Sequence, residues 1–213
     1  INELSKINSN ANDYSLCVNE DYLFYTSTRN PGWSVKYPET KQGYENVFFS
    51  EKKGVSWSTP ETKTLSSRKT DYAIAGMSDN PNIVLVYDGR FGGGEIFLHK
   101  IKETSLDWSK PIAIFDKSLS EIRKTSAFFN EKTEELFFTA NIVGHTIGGK
   151  DIYVAEKLKN NKWGKPKNIG QVVNSKYDEE GLLLNNDTLY FSSKGHESDG
   201  KFDIYYTIRD NNE

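Results

Sequence analysis

Four carboxylates, Asp13, Asp71, Asp178 and Glu179, stand in the polar clusters that open apolar, β-prone runs of this 213-residue chain. Two carboxylates at a set separation can supply the acid and the base or nucleophile of glycoside cleavage. No motif here selects such a pair. His196-Glu197-Ser198-Asp199-Gly200 begins like a zinc-binding His-Glu phrase but lacks the second His four residues after the first, and it falls in a loop. Gly92-Gly93-Gly94 has no Lys-Ser/Thr behind it and no helix to follow, so a tight turn explains it better than a phosphate cradle. Gly76-Met77-Ser78-Asp79-Asn80 lacks the closing Gly of a nucleophile elbow. Of the three His, His99 ends a strand and lies apart from the loops that carry His145 and His196. Cys17, the single cysteine, sits in an apolar run and reads as a small core residue, with no disulfide or thiolate cage available. The expectation is therefore no enzyme, no catalytic residue, no metal and no cofactor.

Recognition is better supplied than catalysis. Arg29, Trp33, Arg90, His145 and His196 fall in, or at the mouths of, connections that are long or unusual, and Asp178 and Glu179 flank the same side. The connection from Thr28 to Glu45 is the longest and most aromatic, and long loops in compact domains are usually functional or disordered. Trp and Arg are also the side chains that dominate interface hot spots. These seven residues form the expected ligand-binding set.

What must position them is a repeat. Trp57-Ser58-Thr59-Pro60, Trp108-Ser109-Lys110-Pro111 and Trp163-Gly164-Lys165-Pro166 share one phrase, with the Trp residues 51 and 55 positions apart. Ahead of each lies an apolar run, Val47-Phe48-Phe49, Ile96-Phe97-Leu98 and Ile152-Tyr153-Val154, and Ile204-Tyr205-Tyr206 is a fourth without its Trp. A second run precedes each of these, for example Leu136-Phe137-Phe138-Thr139 and Leu189-Tyr190-Phe191-Ser192. Aromatic and β-branched runs bounded by Asn, Asp, Gly and Ser are strand signals. Four strands a, b, c and d per unit of this size make a propeller blade. The expectation is all-β: one β-propeller over residues 1–213, four blades of four antiparallel strands, with repeats at about 8–60, 64–111, 115–166 and 170–209. Ile1 to Ser9 resembles Lys167 to Ser175, the stretch after a Trp-x-x-Pro, so residues 1–7 are expected to complete the last blade. The chain opens in mid-pattern, as a mature or excised piece would, and a fragment of a five- or six-bladed ring is the alternative. In a blade, loops b–c and d–a share one face, which is where the recognition residues would gather.

Asn174-Ser175-Lys176-Tyr177-Asp178-Glu179, Leu189 to His196 and Gly149-Lys150-Asp151-Ile152-Tyr153 together resemble the TolB-type, WD-like β-propeller repeat. The version found in Bacteroidetes envelope proteins, beside tetratricopeptide repeats and an OmpA-like domain, is the most similar. The resemblance spans about the whole chain and is strongest from Gly148 to Thr207. Asp88-Gly89-Arg90 in the second unit and Thr125 in the third depart from it, which argues against a site repeated in every blade. It implies a non-enzymatic binding or scaffold module, periplasmic or outer-membrane associated, that is a monomeric domain of a larger protein. The implied partner is a protein, peptide or glycan; the alternative is a propeller glycoside hydrolase or lyase with carboxylates in its funnel.

Composition agrees with that frame. Only 36% of residues are hydrophobic while 13% are aromatic, as twisted sheets with many exposed loops require. The net charge of −3, with Lys and Arg scattered, offers no basic stripe for nucleic acid. No apolar window is long enough for a membrane helix.

Overall fold

Alternation of buried and exposed side chains separates strands packed on one face from strands packed on both, and the two kinds occur at equivalent places in this chain. The computed structural model describes residues 4, 6–29, 43–62, 70–89, 94–102, 105–108, 110–115, 122–159 and 162–210. Among these there is no helix, and the strands form four antiparallel sheets in sequence order, the blades of a β-propeller. The first sheet contains β1 (Asp13–Val18), β2 (Tyr22–Ser27), β3 (Asn46–Lys53), β4 (Ser56–Trp57) and β5 (Glu61–Thr62). The second contains β6 (Tyr72–Met77), β7 (Ile83–Asp88), β8 (Glu95–Lys102), β9 (Ser105–Trp108) and β10 (Ile112–Ala113). The third runs β11 (Lys124–Asn130), β12 (Glu135–Ala140), β13 (Asp151–Glu156), β14 (Lys167–Asn168), and the fourth β15 (Glu179–Asn185), β16 (Thr188–Ser193), β17 (Asp203–Ile208). The chain divides into two compact units, Ile1–Ile74 with Val86–Gly94, and Ala75–Leu85 with Glu95–Glu213.

Strand b of each sheet shows what its faces meet. Every residue of β12 is buried, and so are five of the six in β2, so both faces are covered. In β16 burial alternates, with Leu189 and Phe191 inside and Tyr190 outside, the signature of a sheet packed on one face. The packed face of the fourth sheet contributes Leu182, Leu189 and Phe191 to a core shared with Phe128, Phe137 and Ile152 of the third.

The Trp-x-x-Pro phrase forms strand d, but as two short pieces rather than one strand. Trp57 pairs with Lys52 and Thr62 with Phe48, on either side of Pro60. Trp108 pairs with Ile101 and Ile112 with Leu98 around Pro111. Trp163 bridges Lys157, and Lys167 pairs with Val154, around Pro166. Proline has no N–H for the ladder, so it is confined to edge strands and interrupts them. Among the described residues the fourth sheet has no strand d. The segment 1–7 expected to supply it lies largely outside the described residues; Ile7, which is described, is buried with Leu23, Tyr25 and Phe48 of the first sheet.

Strand a carries a register shift at the same place in the first, third and fourth sheets, between Tyr14 and Cys17, Lys124 and Ala127, and Glu180 and Leu183. At the last of these Gly181 takes a φ of 65°, which glycine adopts at no steric cost, and its amide donates to Ser126 Oγ of the third sheet at 3.2 Å. In the first unit, Ile74 at the matching place donates to Thr26 Oγ1 at 2.8 Å. At Gly181 the bulge thus turns an amide out of its own ladder toward the preceding blade, whereas the matching Ser126 amide donates to Thr139 Oγ1 of its own sheet at 3.1 Å.

Candidate functional site

The connection between β12 and β13 is pinned from beneath by three polar side chains. Asp151, fully buried at the start of β13, accepts the Ile147 amide at 2.6 Å and Asn168 Nδ2 at 2.6 Å. Asn168 also donates to the His145 carbonyl at 3.2 Å, and its oxygen accepts from Asn174 at 2.8 Å. Asn174, buried, bonds both the amide and the carbonyl of Ile152, at 2.8 and 2.9 Å. A turn closed by the His145 and Thr146 amides on the Ile142 carbonyl leaves the His145 side chain exposed above this base.

Beside that loop is a cleft of about 400 Å³ lined by Ile122, Ile142, His145, Tyr153, Trp163 and the Gly164–Pro166 segment. Tyr153 stacks on Phe138 at 5.9 Å and Trp163 sets its ring edge-on to Phe129 at 6.0 Å, so both aromatic walls are braced from behind. Burial pushes the Tyr153 hydroxyl's pKa up. Among the described residues that hydroxyl has no partner in hydrogen-bonding geometry, although Asn168, Thr146 and the Ile142 backbone stand near it. His145 and Lys165, both exposed, form the polar rim. An apolar, aromatic-walled cleft with a few polar groups at its mouth is the usual form of a ligand pocket. Its volume suits one bulky apolar group of a larger ligand.

Most of the other expected site residues turn their polar atoms inward. Arg29 Nη2 donates to Asp13 Oδ1 at 2.8 Å and to the Ile7 carbonyl at 2.5 Å, while its guanidinium lies over the rings of Phe48 and Tyr25. Burial raises the pKa of Asp13, yet the bonds from Arg29, Ser27 and Ser9 outweigh it and hold the carboxyl below the ordinary value. Glu179 is fully buried and accepts Ser175 Oγ at 2.6 Å, Ser193 Oγ at 2.7 Å and the Ser175 amide at 3.1 Å. Asp178 accepts Lys194 Nζ at 2.8 Å, which keeps its pKa low, and the Lys150 amide at 3.0 Å. His196 Nε2 is 2.7 Å from the Val173 carbonyl, and Tyr205 donates to the His196 carbonyl at 2.8 Å. Trp33 and Arg90 lie outside the described residues. Of the five that are described, His145 is the one placed on the cleft.

The acids that look like one repeated position are two. Asp13 opens β1 opposite Ser27, as Glu179 opens β15 opposite Ser193, and each binds a serine four residues earlier. Asp71 and Asp178 stand one residue before their strands and do something else. Asp71 accepts the Glu45 amide at 2.9 Å and Asp178 the Lys150 amide, each capping the residue ahead of strand c in the preceding blade. The following residue in each case, Tyr72 or Glu179, donates its amide to the same residue's carbonyl. In the third sheet the strand-opening position is Lys124, buried, with Nζ 3.3 Å from Glu95 and 4.2 Å above the Phe115 ring. Burial lowers the Lys124 pKa and raises that of Glu95, against their mutual attraction.

Sequence reasoning assigned Trp163 to blade packing and did not single out Tyr153, Ile142, Lys165 or Pro166 for recognition. Nothing in the sequence separates Trp163 from its repeats: Trp57 packs near Ile7 and Leu23, and Trp108 sits edge-on to His99 at 5.2 Å. The cleft arises from how the loop at 141–150 is held, which no single residue type announces.

No family model matches the sequence, and no curated protein matches it. Among solved structures, TolB from Acinetobacter baumannii aligns over 91% of this chain at a TM-score of 0.51 and 14% identity. A protein assigned as TolB from Agrobacterium tumefaciens aligns over 91% at 0.53 and 13%. A chain from Bacteroides ovatus named as a hydrolase aligns at 0.43 and 6%, too low to bear on fold or activity. The chain spans 40% of the first structure and 61% of the second, so the likeness is to part of each. At such identities the likeness is one of fold, and that fold is the β-propeller.

Proposed function

We propose that this chain is a non-enzymatic binding module that takes an apolar side chain of a protein or peptide segment into the cleft between Trp163, Tyr153 and His145. The observation that carries the reading is the cleft itself: about 400 Å³, aromatic-walled and placed on a loop whose base is fixed by Asp151, Asn168 and Asn174. Rigid scaffolds that hold a loop in this way are where recognition concentrates. The absence of catalysis is supported by the engagement of Asp178, Glu179 and His196 in internal bonds, since a catalytic pair needs carboxylates free to exchange protons with substrate. The resemblance of the repeat to envelope propellers supports a periplasmic or outer-membrane-associated setting.

Selection of a displayed peptide library on the immobilised protein tests the reading. Peptides with a bulky apolar residue should be enriched, and His145→Ala, Lys165→Ala and Ile142→Ser should each release them. Lys52→Ala, on β3 of the first sheet, should retain them. Peptides held equally by all the variants would show that the cleft is not the site.

A further inference from the structure

Two further clefts are the same cleft met twice along the chain, and one of them lacks a wall. The first, of about 280 Å³, lies between β8 and the third sheet, and the second, of about 380 Å³, between the third sheet and the fourth. Their linings correspond by place in the strands. Phe129 and Leu184 are the sixth residues of β11 and β15, and Leu98 and Val154 the fourth of β8 and β13. Lys157 and Arg209 follow directly on β13 and β17. Trp163 walls the smaller cleft, bridging Lys157 and setting its ring edge-on to Phe129 at 6.0 Å. Among the described residues no Trp stands in that place over Leu184 in the larger one.

The strand that would carry the missing wall has a seat. In the third sheet the Lys157 amide donates to the Glu134 carbonyl, so the alternate backbone groups of Ile152, Val154 and Glu156 face away from β12. There the Glu156 carbonyl accepts the Gly164 amide, and the Ile152 carbonyl accepts the Ile169 amide. β17 is laid in the same way: the Arg209 amide donates to the Asp187 carbonyl, and the backbone groups of Ile204, Tyr206 and Ile208 face the outer edge. Among the described residues no strand pairs with that edge. An unpaired edge is a template for another strand, and the other three sheets show which sequence such an edge takes. Trp57, Trp108 and Trp163 pair with Lys52, Ile101 and Lys157, each the seventh residue from the start of its strand c, and Arg209 is the seventh from Asp203. The mouth of the cleft also carries Asp187 and Asp210, both exposed, while the charge of Arg209 is met by Glu135 at 2.8 and 2.9 Å. That favours lysines beside the incoming Trp, as Lys162, Lys165 and Lys167 stand beside Trp163.

We propose that the edge of β17 and the cleft over Leu184 form a docking site for an extended, basic Trp-x-x-Pro segment of a partner protein, which adds to the fourth sheet as its strand d. Main-chain bonds to the edge supply affinity and the Trp side chain in the cleft supplies specificity, as in other strand additions. The site is separate from the cleft at His145 and does not rest on the reading of that cleft.

Fluorescence anisotropy of a labelled synthetic peptide with the sequence of Lys162 to Gly170, titrated with the 213-residue protein, tests it. Binding should saturate at one peptide per chain. Trp163→Ala in the peptide, which leaves the protein untouched, should weaken it about tenfold or more, as loss of a hot-spot aromatic does. In the protein, Ile208→Pro removes an amide from the edge and Leu184→Asn makes the cleft polar; each, confirmed as folded by circular dichroism, should weaken binding to a similar extent. His145→Ala should bind like the wild type. A peptide that does not bind the wild type would overturn the proposal, and so would binding indifferent to the peptide's Trp. Binding lost in His145→Ala but kept in Ile208→Pro and Leu184→Asn would overturn it too, by placing the peptide in the other cleft.

Discussion

Arg29 was legible in the sequence as a hot-spot residue beside a long loop, yet its guanidinium is spent on Asp13, the Ile7 carbonyl and two aromatic rings. Charge-assisted bonds of this kind are worth about 1.5–3 kcal/mol each, and the cation over an aromatic face adds to them. Arg29→Ala should therefore lower the free energy of unfolding in urea by about 2 kcal/mol, with Arg29→Lys keeping part of it. An unchanged urea midpoint would mean the clamp contributes nothing. Cys17, expected in the core, is half-buried on β1 and stands outside the buried core. Burial pushes its thiol up to about 12, and alkylation by iodoacetamide at neutral pH should be slow until the protein is unfolded. Acid titration reports on Asp178. Its bond from Lys194 depresses its pKa below 3.8 in the folded state, so it stabilises the fold above that value. The contribution is lost as pH falls through the folded pKa. The pair is partly exposed, so the effect should be no more than about 1 kcal/mol. It should appear below about pH 4 as a steeper loss of stability in the wild type than in Asp178→Asn; parallel curves would contradict it.

Strands were the legible elements, because aromatic and β-branched runs between polar turns leave few alternatives. The break in strand d follows from the proline inside each Trp-x-x-Pro. What could not be read was the one-residue distinction between Asp13 and Asp178. It is set by the bulge and by which backbone amide each carboxylate meets, and a shift of one residue leaves the sequence pattern unchanged. Close packing between strands was hidden in the same way. A Cβ on Gly76 would lie 1.8 Å from the Ala127 carbonyl oxygen, whereas Gly144, with φ of 78°, has open space around it. Gly76→Ala should cost more than about 3 kcal/mol, as backbone must move, and Gly144→Ala about 1 kcal/mol from its left-handed conformation alone. Equal effects on the urea midpoint would show that the approach at Gly76 is not close.

At the scale of the whole molecule, the propeller class follows from a repeat that any reader of the sequence can find, while the cleft does not. Trp163 carries the same phrase as Trp57 and Trp108. The cage of Asp151, Asn168 and Asn174 under loop 141–150 shapes the cleft beside it. The carboxylates that looked most like chemistry fasten strands within and between blades instead. These two assignments can be separated in one comparison of Asp178→Asn with His145→Ala, measuring both the unfolding midpoint and retention of the selected peptide. The account predicts that Asp178→Asn lowers the midpoint and leaves retention by the folded protein intact, while His145→Ala leaves the midpoint and loses the peptide. Loss of the peptide in Asp178→Asn at an unchanged midpoint, with retention in His145→Ala, would contradict it.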